Sequence, residues 1–509
     1  MVQEKLWFKV WPEGTPKTLQ PYPEKPLHKF LDEHASSKPD RPLVIYEDGR
    51  VFTYGKVSEE SSKIAAAIWD MGVRKGDPVA VMMFNRPEFI SCFYGGLKAG
   101  AKVAIIDALT ISEDLKMHFE MTKPKVIFTD AEVWEREKKI FEEYGYGLKN
   151  TIVVEGGEDT LSYGSVLAKY EAKPPNVQIN PREDVAIIAH YAGIVGRTLE
   201  VYHTHYGIVA AMISASAFYG RREGVTSLVA IPLSHLFGVM EIAGPVIAGG
   251  TIVLMKRFDL DRALELIKKY NVNLWPGPPM MFDAVLKKGL KKEDVPSLML
   301  CVTGAAPVPP DLQKAFFEDV GIPLIQGYGL TEGLVVTAQP PNVRVYGSVG
   351  IPLPDVDVKI VDKETGTKEL PPGEVGELIV KSPWIMRGYK DPEETKKAIR
   401  DGWLYTGDLL MMDENGLLYF RGLKKRFLKY KAYPIFPRDL EIILLQHPAV
   451  KDTYVDGEWD PEVGHKPFAK VVLKDEYKGK VSAEELINFV NERVAFYKKL
   501  RKVEFVDKI

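Results

Sequence analysis

The fold is decided by a stretch that reads PVAVMMF (residues 78–84), then RPEFISCFYGGLKAG (86–100), then KVAII (102–106). Two short apolar runs flank a longer segment with the length and composition of a helix. A buried strand, a helix and a second buried strand in this order form the βαβ unit of a parallel sheet. We therefore predict an α/β protein in which helices cover parallel strands.

The same alternation continues along the chain. The runs PKVIFTD (124–130), NTIVVEG (150–156) and DVAIIAH (184–190) read as further buried strands between helical stretches. Residues 345–425 differ, because Gly, Pro and short alternating runs such as DVDVKIVD, GELIVKS and LLYFRG favour antiparallel strands. From residue 426 the pattern becomes a smaller mixture of helices (437–446 and 482–500) and strands.

These shifts define the predicted architecture. We expect a large N-terminal domain of layered α/β subdomains plus a distorted β-barrel, covering residues 1–425. A small C-terminal α+β lid domain follows over residues 426–509. A chain of 509 residues exceeds one ordinary hydrophobic core, which supports this division.

Composition excludes several classes of protein. Hydrophobic residues make up 45% and charged residues 27% of the chain, and the net charge is −3, so nucleic-acid binding has no electrostatic support. The two cysteines, Cys92 and Cys301, form neither a disulfide framework nor a metal-binding spacing. The N-terminal residues contain no signal-peptide run, and the weakly charged stretch 226–255 is interrupted by Ser, His, Glu, Pro and Gly. We expect a cytoplasmic protein without nucleic-acid partners or integral membrane segments.

The motif with the clearest chemistry is GYGLTEG, at residues 327–333. The motif combines a flat aromatic ring, Tyr328, which can stack on another ring, with a carboxylate, Glu332, which suits a hard cation. In GWLYTGDL (402–409), Asp408 offers a carboxylate that can accept two hydrogen bonds. Each motif alone also occurs as an ordinary turn.

Further segments accompany these motifs in a fixed order. They are IPLSHLFG (231–238), PGPPMM (276–281), TGAAPV (303–308) and GELIVKSPWIMRGY (376–389). Taken in order, the whole set is similar to the AMP-forming acyl-CoA synthetase (adenylating) superfamily, from about residue 26 to the end. In style the chain most resembles prokaryotic long-chain fatty-acid–CoA ligases.

The resemblance implies an activity and its reactants. Enzymes of this superfamily join a carboxylic acid to ATP, which gives acyl-AMP and pyrophosphate, and then transfer the acyl group to CoA after the C-terminal domain rotates. The implied cofactors are ATP/AMP, Mg²⁺ and CoA. The implied partners are a small-molecule carboxylic acid and CoA. The resemblance is also compatible with a homodimer. The chain length of the acid cannot be read from the sequence.

The resemblance also implies roles for single residues. Thr331 and Glu332 would be catalytic, with Thr331 on phosphate and Glu332 on Mg²⁺. The nucleotide site would comprise Gly304, Ala305, Tyr328, Gly329 and Asp408, with Tyr328 on adenine and Asp408 on the ribose hydroxyls. His235 and Gly327 would line the acyl pocket, whereas Arg426, Lys429 and Lys431 would belong to the CoA and hinge region.

The sequence departs from the superfamily at the phosphate loop, HYAGIVGRTLE (190–200). Gly193 and Gly196 match, but the two phosphate-binding Thr positions hold Ile194 and Val195. The Lys position holds Leu199 and the following Gly position holds Glu200, while Arg197 could reach the phosphates from a shifted position. A phosphate cradle relies on backbone N–H groups, hydroxyls and a cation, so this loop is degenerate.

The hinge and the chain end depart as well. In GLKKRFLKYKA (422–432), Leu423 stands for an Arg that contacts ribose, Arg426 for the Asp about which the lid rotates, and Ala432 for a Gly. The lid domain is expected to lack the terminal catalytic-lysine segment of the superfamily. Each lost contact to a developing phosphate charge removes about 2–4 kcal/mol of transition-state stabilisation.

Three hypotheses follow from this pattern. The first is an acyl-CoA synthetase-like ligase for a carboxylic acid, most simply a fatty acid, with impaired ATP handling. The second is a non-catalytic relative that binds a nucleotide or acyl ligand and acts as a regulatory or partner subunit. The third is a truncated or engineered form of an active enzyme, which would account for the missing lysine but not for Leu199 or Leu423.

Overall fold

The structure is a computed structural model that describes residues 5–157, 159–190, 198–306, 308–341, 343, 345–424, 428–431 and 433–509. Its α-helices are α1 Leu27–Ser37, α2 Tyr54–Asp70, α3 Pro87–Lys98, α4 Ser112–Thr122, α5 Ala131–Glu143, α6 Tyr163–Lys169, α7 His205–Tyr219, α8 Leu236–Ala248, α9 Leu260–Lys269, α10 Pro279–Lys287, α11 Pro310–Ala315, α12 Pro392–Ala398, α13 Pro437–Leu445 and α14 Ala483–Asn491.

The strands of the N-terminal region are β1 Pro42–Tyr46, β2 Val51–Thr53, β3 Pro78–Met82, β4 Lys102–Ile105, β5 Val126–Thr129, β6 Thr151–Val153, β7 Leu161–Ser162, β8 Val185–His190, β9 Glu200–Thr204, β10 Thr226–Val229, β11 Thr251–Leu254, β12 Leu274–Gly277, β13 Leu300–Thr303, β14 Leu324–Leu330, β15 Leu334–Ala338 and β16 Ile351–Pro352. The later strands are β17 Asp357–Val361, β18 Val375–Lys381, β19 Gly388–Tyr389, β20 Ile399–Arg400, β21 Trp403–Met412, β22 Leu418–Leu423, β23 Leu428–Tyr430, β24 Tyr433–Ile435, β25 Val450–Asp460, β26 Gly464–Leu473 and β27 Lys502–Phe505.

The predicted βαβ unit is confirmed as β3, α3 and β4, with β3 and β4 parallel and Val79 opposite Val103. Pro87 begins α3 at a position that needs no N–H donor. Gly96 lets the helix lie directly on the sheet, because a Cβ there would come within 2.7 Å of Val103 Cγ2. The first sequence prediction therefore rests on close packing as well as on hydrophobicity.

In the described part of the chain, two large sheets and two smaller ones carry the fold. One large sheet has the order β16-β15-β14-β13-β12-β10-β11-β1-β2, and the other has the order β19-β9-β8-β4-β3-β5-β6-β7. An antiparallel half-barrel is formed by strands β17, β18, β21, β20 and β22. This pairing confirms the antiparallel strands predicted for residues 345–425. The predicted fold class is thus confirmed.

The C-terminal domain has its own hydrophobic core. Its buried apolar side chains run from Leu428 to Val503, separately from the main core, which spans Trp7 to Leu418. Its sheet has the order β24-β23-β26-β25, with β27 parallel to β26. The predicted boundary at 425/426 falls at residues 425–427, which lie outside the described residues, so its position stays a prediction.

The helix predicted over residues 482–500 is shorter than expected. It ends at Asn491, whose side-chain amide donates to Leu500 O over 3.0 Å and whose oxygen accepts from Leu500 N over 2.8 Å. These bonds replace the next helical turn and direct the chain into β27. None of the helices in the described part of the chain has the length and apolar content needed to cross a bilayer.

Candidate functional site

The candidate site lies where the parallel pairing of β13 with β14 ends, at Thr303 and Gln326. The glycines that follow let the backbones approach closely, since a Cβ on Gly304 would lie 3.0 Å from Gly327 O. A Cβ on Gly327 would lie 2.8 Å from the Tyr219 hydroxyl oxygen, so a side chain there would displace that hydroxyl. Ala305 follows with a φ of +63°, a left-handed conformation that is uncommon outside glycine. The structure thus brings Gly304, Ala305 and Gly327 together.

Tyr328 and Asp408 also meet, although they come from different sheets. The Tyr328 hydroxyl donates to Asp408 Oδ2 over 2.6 Å. Burial raises the pKa of Asp408 to about 6, although the Tyr328 hydrogen bond and the charge of Lys429 oppose that shift. Asp408 is therefore a carboxylate at neutral pH and gains a proton under mildly acidic conditions.

Glu332 is buried in the turn between β14 and β15, with 1% of its surface exposed. The Tyr389 hydroxyl donates to Glu332 Oε1 over 2.9 Å. The preceding carbonyl, Thr331 O, accepts from His203 Nε2 over 2.7 Å. Burial lowers the pKa of His203 to about 4, so this histidine is neutral and orients the turn as a hydrogen-bond donor.

The residues near Glu332 fit Mg²⁺ that arrives with a nucleotide. Among the described residues, no group of three or more His, Cys, Asp and Glu side chains is arranged to hold a metal ion. Mg²⁺ usually takes one or two carboxylates and completes its shell with water and substrate phosphates. A single carboxylate such as Glu332 is compatible with this mode of Mg²⁺ binding.

The segment that leads from Tyr328 into the turn with Glu332 depends on Gly329. The pairing of β14 with β15 shifts register between Tyr328 and Gly329. A Cβ on Gly329 would lie 2.2 Å from Leu334 O, which is closer than any real contact allows. This bulge sets the path of the backbone between Tyr328 and Glu332, and it requires glycine.

His235 stands at the start of α8, where its Nε2 lies 3.4 Å from Asp107 Oδ2. Burial alone would raise the pKa of Asp107, but the neighbouring His235 holds it below its ordinary value. The ring of Tyr433, from the C-terminal domain, meets His235 edge-on with centroids 5.4 Å apart. Asp107 was missed by sequence reasoning, although a polar residue directly after the apolar run 102–106 is a usable signal.

The C-terminal domain contributes Lys429 to the site. Its ammonium group donates to Ala305 O over 2.6 Å, and its positive charge acts on Asp408. Lys431, by contrast, lies exposed in the turn between β23 and β24, where its φ is +47°. Of the hinge residues proposed from sequence, the structure brings Lys429 to the site and leaves Lys431 at the surface. Arg426 and Ala432 lie outside the described residues.

Most of the predicted phosphate loop, including Gly193, Ile194, Val195, Gly196 and Arg197, also lies outside the described residues. The loop connects the antiparallel strands β8 and β9, so a strand follows it, as expected.

The described end of the loop faces the protein interior. Leu199 is 7% exposed and belongs to the main core. Glu200 is 2% exposed, accepts from the Tyr202 hydroxyl over 2.9 Å and lies 3.5 Å from Lys390 Nζ. Its charge is thus partly compensated.

The loop end also contacts the C-terminal domain. Thr198 Oγ1 donates to Asp439 Oδ2 over 2.8 Å, and Lys498 Nζ lies 3.5 Å from the same oxygen. The C-terminal domain therefore lies against both the loop and the strand ends.

A layered α/β domain with a small C-terminal domain over its strand ends is the fold of adenylate-forming enzymes. The family model described as "AMP-binding enzyme" matches residues 31–390, and the model "AMP-binding enzyme C-terminal domain" matches residues 439–509. The chain therefore belongs to the AMP-binding enzyme family.

Individual relatives are acid–CoA ligases. A long-chain-fatty-acid–CoA ligase of Bacillus subtilis (strain 168) is 30% identical, with 99% of this chain and 95% of the relative covered. 4-Coumarate–CoA ligase 3 of Oryza sativa subsp. japonica is 31% identical, with 92% and 86% covered. Among solved structures, a long-chain-fatty-acid-CoA ligase from Archaeoglobus fulgidus superimposes with a TM-score of 0.82 at 27% identity, covering 97% of this chain and 99% of that one. The chain is an adenylate-forming acyl-CoA ligase by family.

Proposed function

We propose that the protein joins a carboxylic acid to CoA by way of an acyl-adenylate. The observation that supports this proposal is the hydrogen bond from Tyr328 to Asp408, with Glu332 four residues beyond Tyr328 in the next turn. A hydrogen-bonded tyrosine and carboxylate suit adenosine, and the buried Glu332 beside them suits nucleotide-bound Mg²⁺.

The first step is attack of an oxygen of the acid on the α-phosphorus of ATP. The bond from phosphorus to the bridging oxygen breaks, and pyrophosphate leaves with its electron pair. In our proposal Tyr328 stacks on adenine, Asp408 accepts from both ribose hydroxyls and Thr331 contacts phosphate. Mg²⁺ on Glu332 would neutralise the developing phosphate charge.

The second step is attack of the CoA sulfur on the acyl carbon, which breaks the bond to the phosphate oxygen and releases AMP. The thiol proton passes to solvent water as the C–S bond forms. We place CoA beside Lys429, since this residue reaches the site from the C-terminal domain. His235 and Gly327 would border the acyl group. Lys431 and Arg426 remain proposed CoA and hinge residues.

Handling of ATP is proposed to be weak. The resemblance places the phosphate-binding lysine at Leu199, and this side chain is buried in the apolar core. Lost hydroxyls and a lost cation each remove about 2–4 kcal/mol from transition-state stabilisation, or roughly 30- to 1000-fold in rate. The same observation favours the second candidate, a non-catalytic relative that binds nucleotide or acyl ligand as a regulatory or partner subunit.

The acid is proposed to carry an apolar body, such as the chain of a fatty acid. Leu274, Leu300, Val302 and Ile325 form an apolar cluster on one face of the neighbouring strands β12, β13 and β14. Because side chains alternate along a strand, Gly304 and Gly327 continue the same face beyond Val302 and Ile325. An apolar acyl group held at the glycines would adjoin this buried cluster, against which Tyr219 packs. A cytoplasmic location and a homodimer are retained as further proposals.

Pyrophosphate release separates the two candidates. The purified chain is incubated with ATP, Mg²⁺, CoA and a panel of carboxylic acids, and pyrophosphate and acyl-CoA are measured. Acid-dependent release of both, reduced in Asp408→Ala and unchanged in Glu414→Ala on the nearby turn, supports the ligase. AMP binding without any acid-dependent pyrophosphate supports the non-catalytic candidate.

A further inference from the structure

A carboxylate and a histidine at the edge of the candidate site have polar atoms that the fold does not use. Asp107 Oδ2 and His235 Nε2 are both buried without a hydrogen-bond partner among the described residues, although only 3.4 Å separates them. Asp107 Oδ1, by contrast, accepts from Leu109 N over 3.0 Å, which orients the carboxylate. Hydrogen bonds between catalytic groups are often long before substrate binds and shorten in the complex. Asp107 and His235 thus have the geometry of an aspartate–histidine dyad.

The dyad leaves one ring nitrogen of His235 available. Nε2 is buried beside Asp107, whereas 32% of the side chain is exposed, so the exposed part belongs to the rest of the ring. His235 precedes the first residue of α8, but its side chain makes no capping hydrogen bond with that helix. When Nε2 carries its proton toward Asp107, Nδ1 holds the lone pair. Nδ1 is therefore the nitrogen that can accept a proton from a substrate.

The groups around the dyad keep Asp107 ionised. Tyr433 of β24 meets His235 edge-on and stacks on Tyr497, with ring centroids 4.6 Å apart. Burial, together with the charge of Asp107, raises the pKa of both tyrosines, so they stay neutral. Burial also acts to raise the pKa of Asp107, but His235 and, to a smaller extent, Arg136 from α5 hold it below its ordinary value. Asp107 is therefore a carboxylate that can stabilise a positively charged His235.

One hairpin of the C-terminal domain connects the dyad with the proposed position of CoA. Strands β23 and β24 pair so that Lys429 lies opposite Pro434, the neighbour of Tyr433. The hairpin therefore contacts Ala305 through Lys429 and His235 through Tyr433. Because we place CoA beside Lys429, its thiol approaches on the side of the site where this hairpin meets His235.

We infer that His235 is the general base of the thioester step and that Asp107 is its positioning residue. His235 Nδ1 takes the proton of the CoA thiol as the sulfur attacks the acyl carbon, and the electron pair of the broken C–O bond leaves with AMP. The Asp107 carboxylate stabilises the imidazolium that forms, which then returns the proton to solvent water. This inference rests on the proposed function and adds a base to its second step.

The contribution of such a base depends on the protonation of the thiol. The thiolate is the nucleophile, and an ordinary thiol has a pKa of about 8.5, so at lower pH most of the CoA thiol must lose a proton during the reaction. General base catalysis contributes about 100- to 10,000-fold under these conditions. Above the pKa of the thiol the base adds little, because the thiolate is already present.

The test supplies the acyl-adenylate directly, so it does not depend on ATP. Octanoyl-AMP or cinnamoyl-AMP is mixed with the protein and saturating CoA, and acyl-CoA formation is followed in a single turnover at pH 6.5 and pH 9. Asp107→Asn retains an oxygen that can accept from Leu109 N but presents a neutral amide to His235. Relative to the native chain, this variant should be about a hundredfold slower at pH 6.5 and less than about threefold slower at pH 9.

His235→Gln removes the base itself and should show the same dependence on pH, so the test does not rely on the folding of Asp107→Asn. Glu485→Gln is the matched control, because Glu485 lies 3.6 Å from His447 in the C-terminal domain and its side chain is 52% exposed. Its rates should equal the native rates at both pH values. Native rates in Asp107→Asn and His235→Gln, or an equal loss at both pH values as a structural role predicts, overturn the inference alone. Failure of the native chain to form acyl-CoA from either adenylate overturns the proposed function as well.

Discussion

Lys498, in the C-terminal domain, places its ammonium group 3.1 Å from the carboxylate of Asp114, which begins the buried face of α4 in the N-terminal domain. Asp439 of the C-terminal domain completes the cluster and also accepts from Thr198 at the end of the predicted phosphate loop. Burial alone would lower the pKa of Lys498, but Asp114 and Asp439 hold it above its ordinary value. The two domains are thus joined through a buried lysine shared by two carboxylates.

Replacing this lysine should loosen the contact between the domains. In Lys498→Met, Asp114 and Asp439 remain buried without their cation, and removal of one partner of a buried pair costs about 3–5 kcal/mol. Amide hydrogen exchange in α4 and α13 should become faster by about a hundredfold or more.

The matched control is Lys502→Met, because Lys502 pairs with Glu504 at the surface and its side chain is 58% exposed. Exchange in α4 and α13 should stay unchanged in this variant, as exposed pairs contribute about 0–1 kcal/mol. Equal protection in Lys498→Met and the native chain would show that the cluster does not hold the domains together.

Adenosine binding should weaken below the pKa of Asp408. This pKa is raised to about 6, and a protonated carboxyl group cannot accept from both ribose hydroxyls. Protons and ribose then compete for one carboxylate, so affinity should fall about tenfold from pH 7 to pH 5. Adenosine is used in place of AMP because its sugar carries no phosphate that titrates in this range.

Asp408→Asn supplies the control for that titration. We expect adenosine affinity to fall by about 1–3 kcal/mol at pH 7 and to become independent of pH between 5 and 7. A pH profile identical to that of the native chain would assign the titration to another group.

ATP should bind no more tightly than AMP. The longer phosphate chain gains little from a loop that holds Ile194, Val195, Leu199 and Glu200 at the positions of hydroxyls, a cation and a glycine. Affinities of both nucleotides with Mg²⁺ can be measured by calorimetry on the native chain and on Arg197→Ala. A preference for ATP that disappears in Arg197→Ala indicates a rebuilt phosphate site, and one that survives means that this loop has been aligned incorrectly.

A methyl group at Gly329 should damage the nucleotide site. Its Cβ would lie 2.2 Å from Leu334 O, so the bulge that positions Tyr328 and Glu332 must shift. Gly329→Ala should lower the free energy of unfolding by about 1–3 kcal/mol and weaken AMP binding at least tenfold. Gly164→Ala, in α6, should raise the free energy of unfolding by about 0.5–1 kcal/mol and leave AMP affinity unchanged. Native AMP affinity in Gly329→Ala would contradict this role of the bulge.

Sequence alone determined the α/β class, because the apolar runs and helical segments alternate with the periodicity that strands and helices impose. It also determined the family, because GYGLTEG, the histidine motif and the Thr-Gly-Asp turn occur in order. Tyr328, Asp408 and Glu332 were predicted together on that basis. The local sequence is sufficient to predict the fold class, the family and these three residues, because each of them depends on short segments whose residue types are distinctive.

The tertiary structure decided which distant groups meet. No local signal connects Tyr219 with Gly327, Asp107 with His235 or Lys498 with Asp114, because these contacts depend on how α7, α8 and the C-terminal domain pack on the strand ends. The same is true of charge: Glu200 appeared as an isolated repelling carboxylate in sequence, whereas folding places it beside Tyr202 and Lys390. Periodicity and motifs act over a few residues, but burial, shared hydrogen bonds and pKa values are properties of the packed whole.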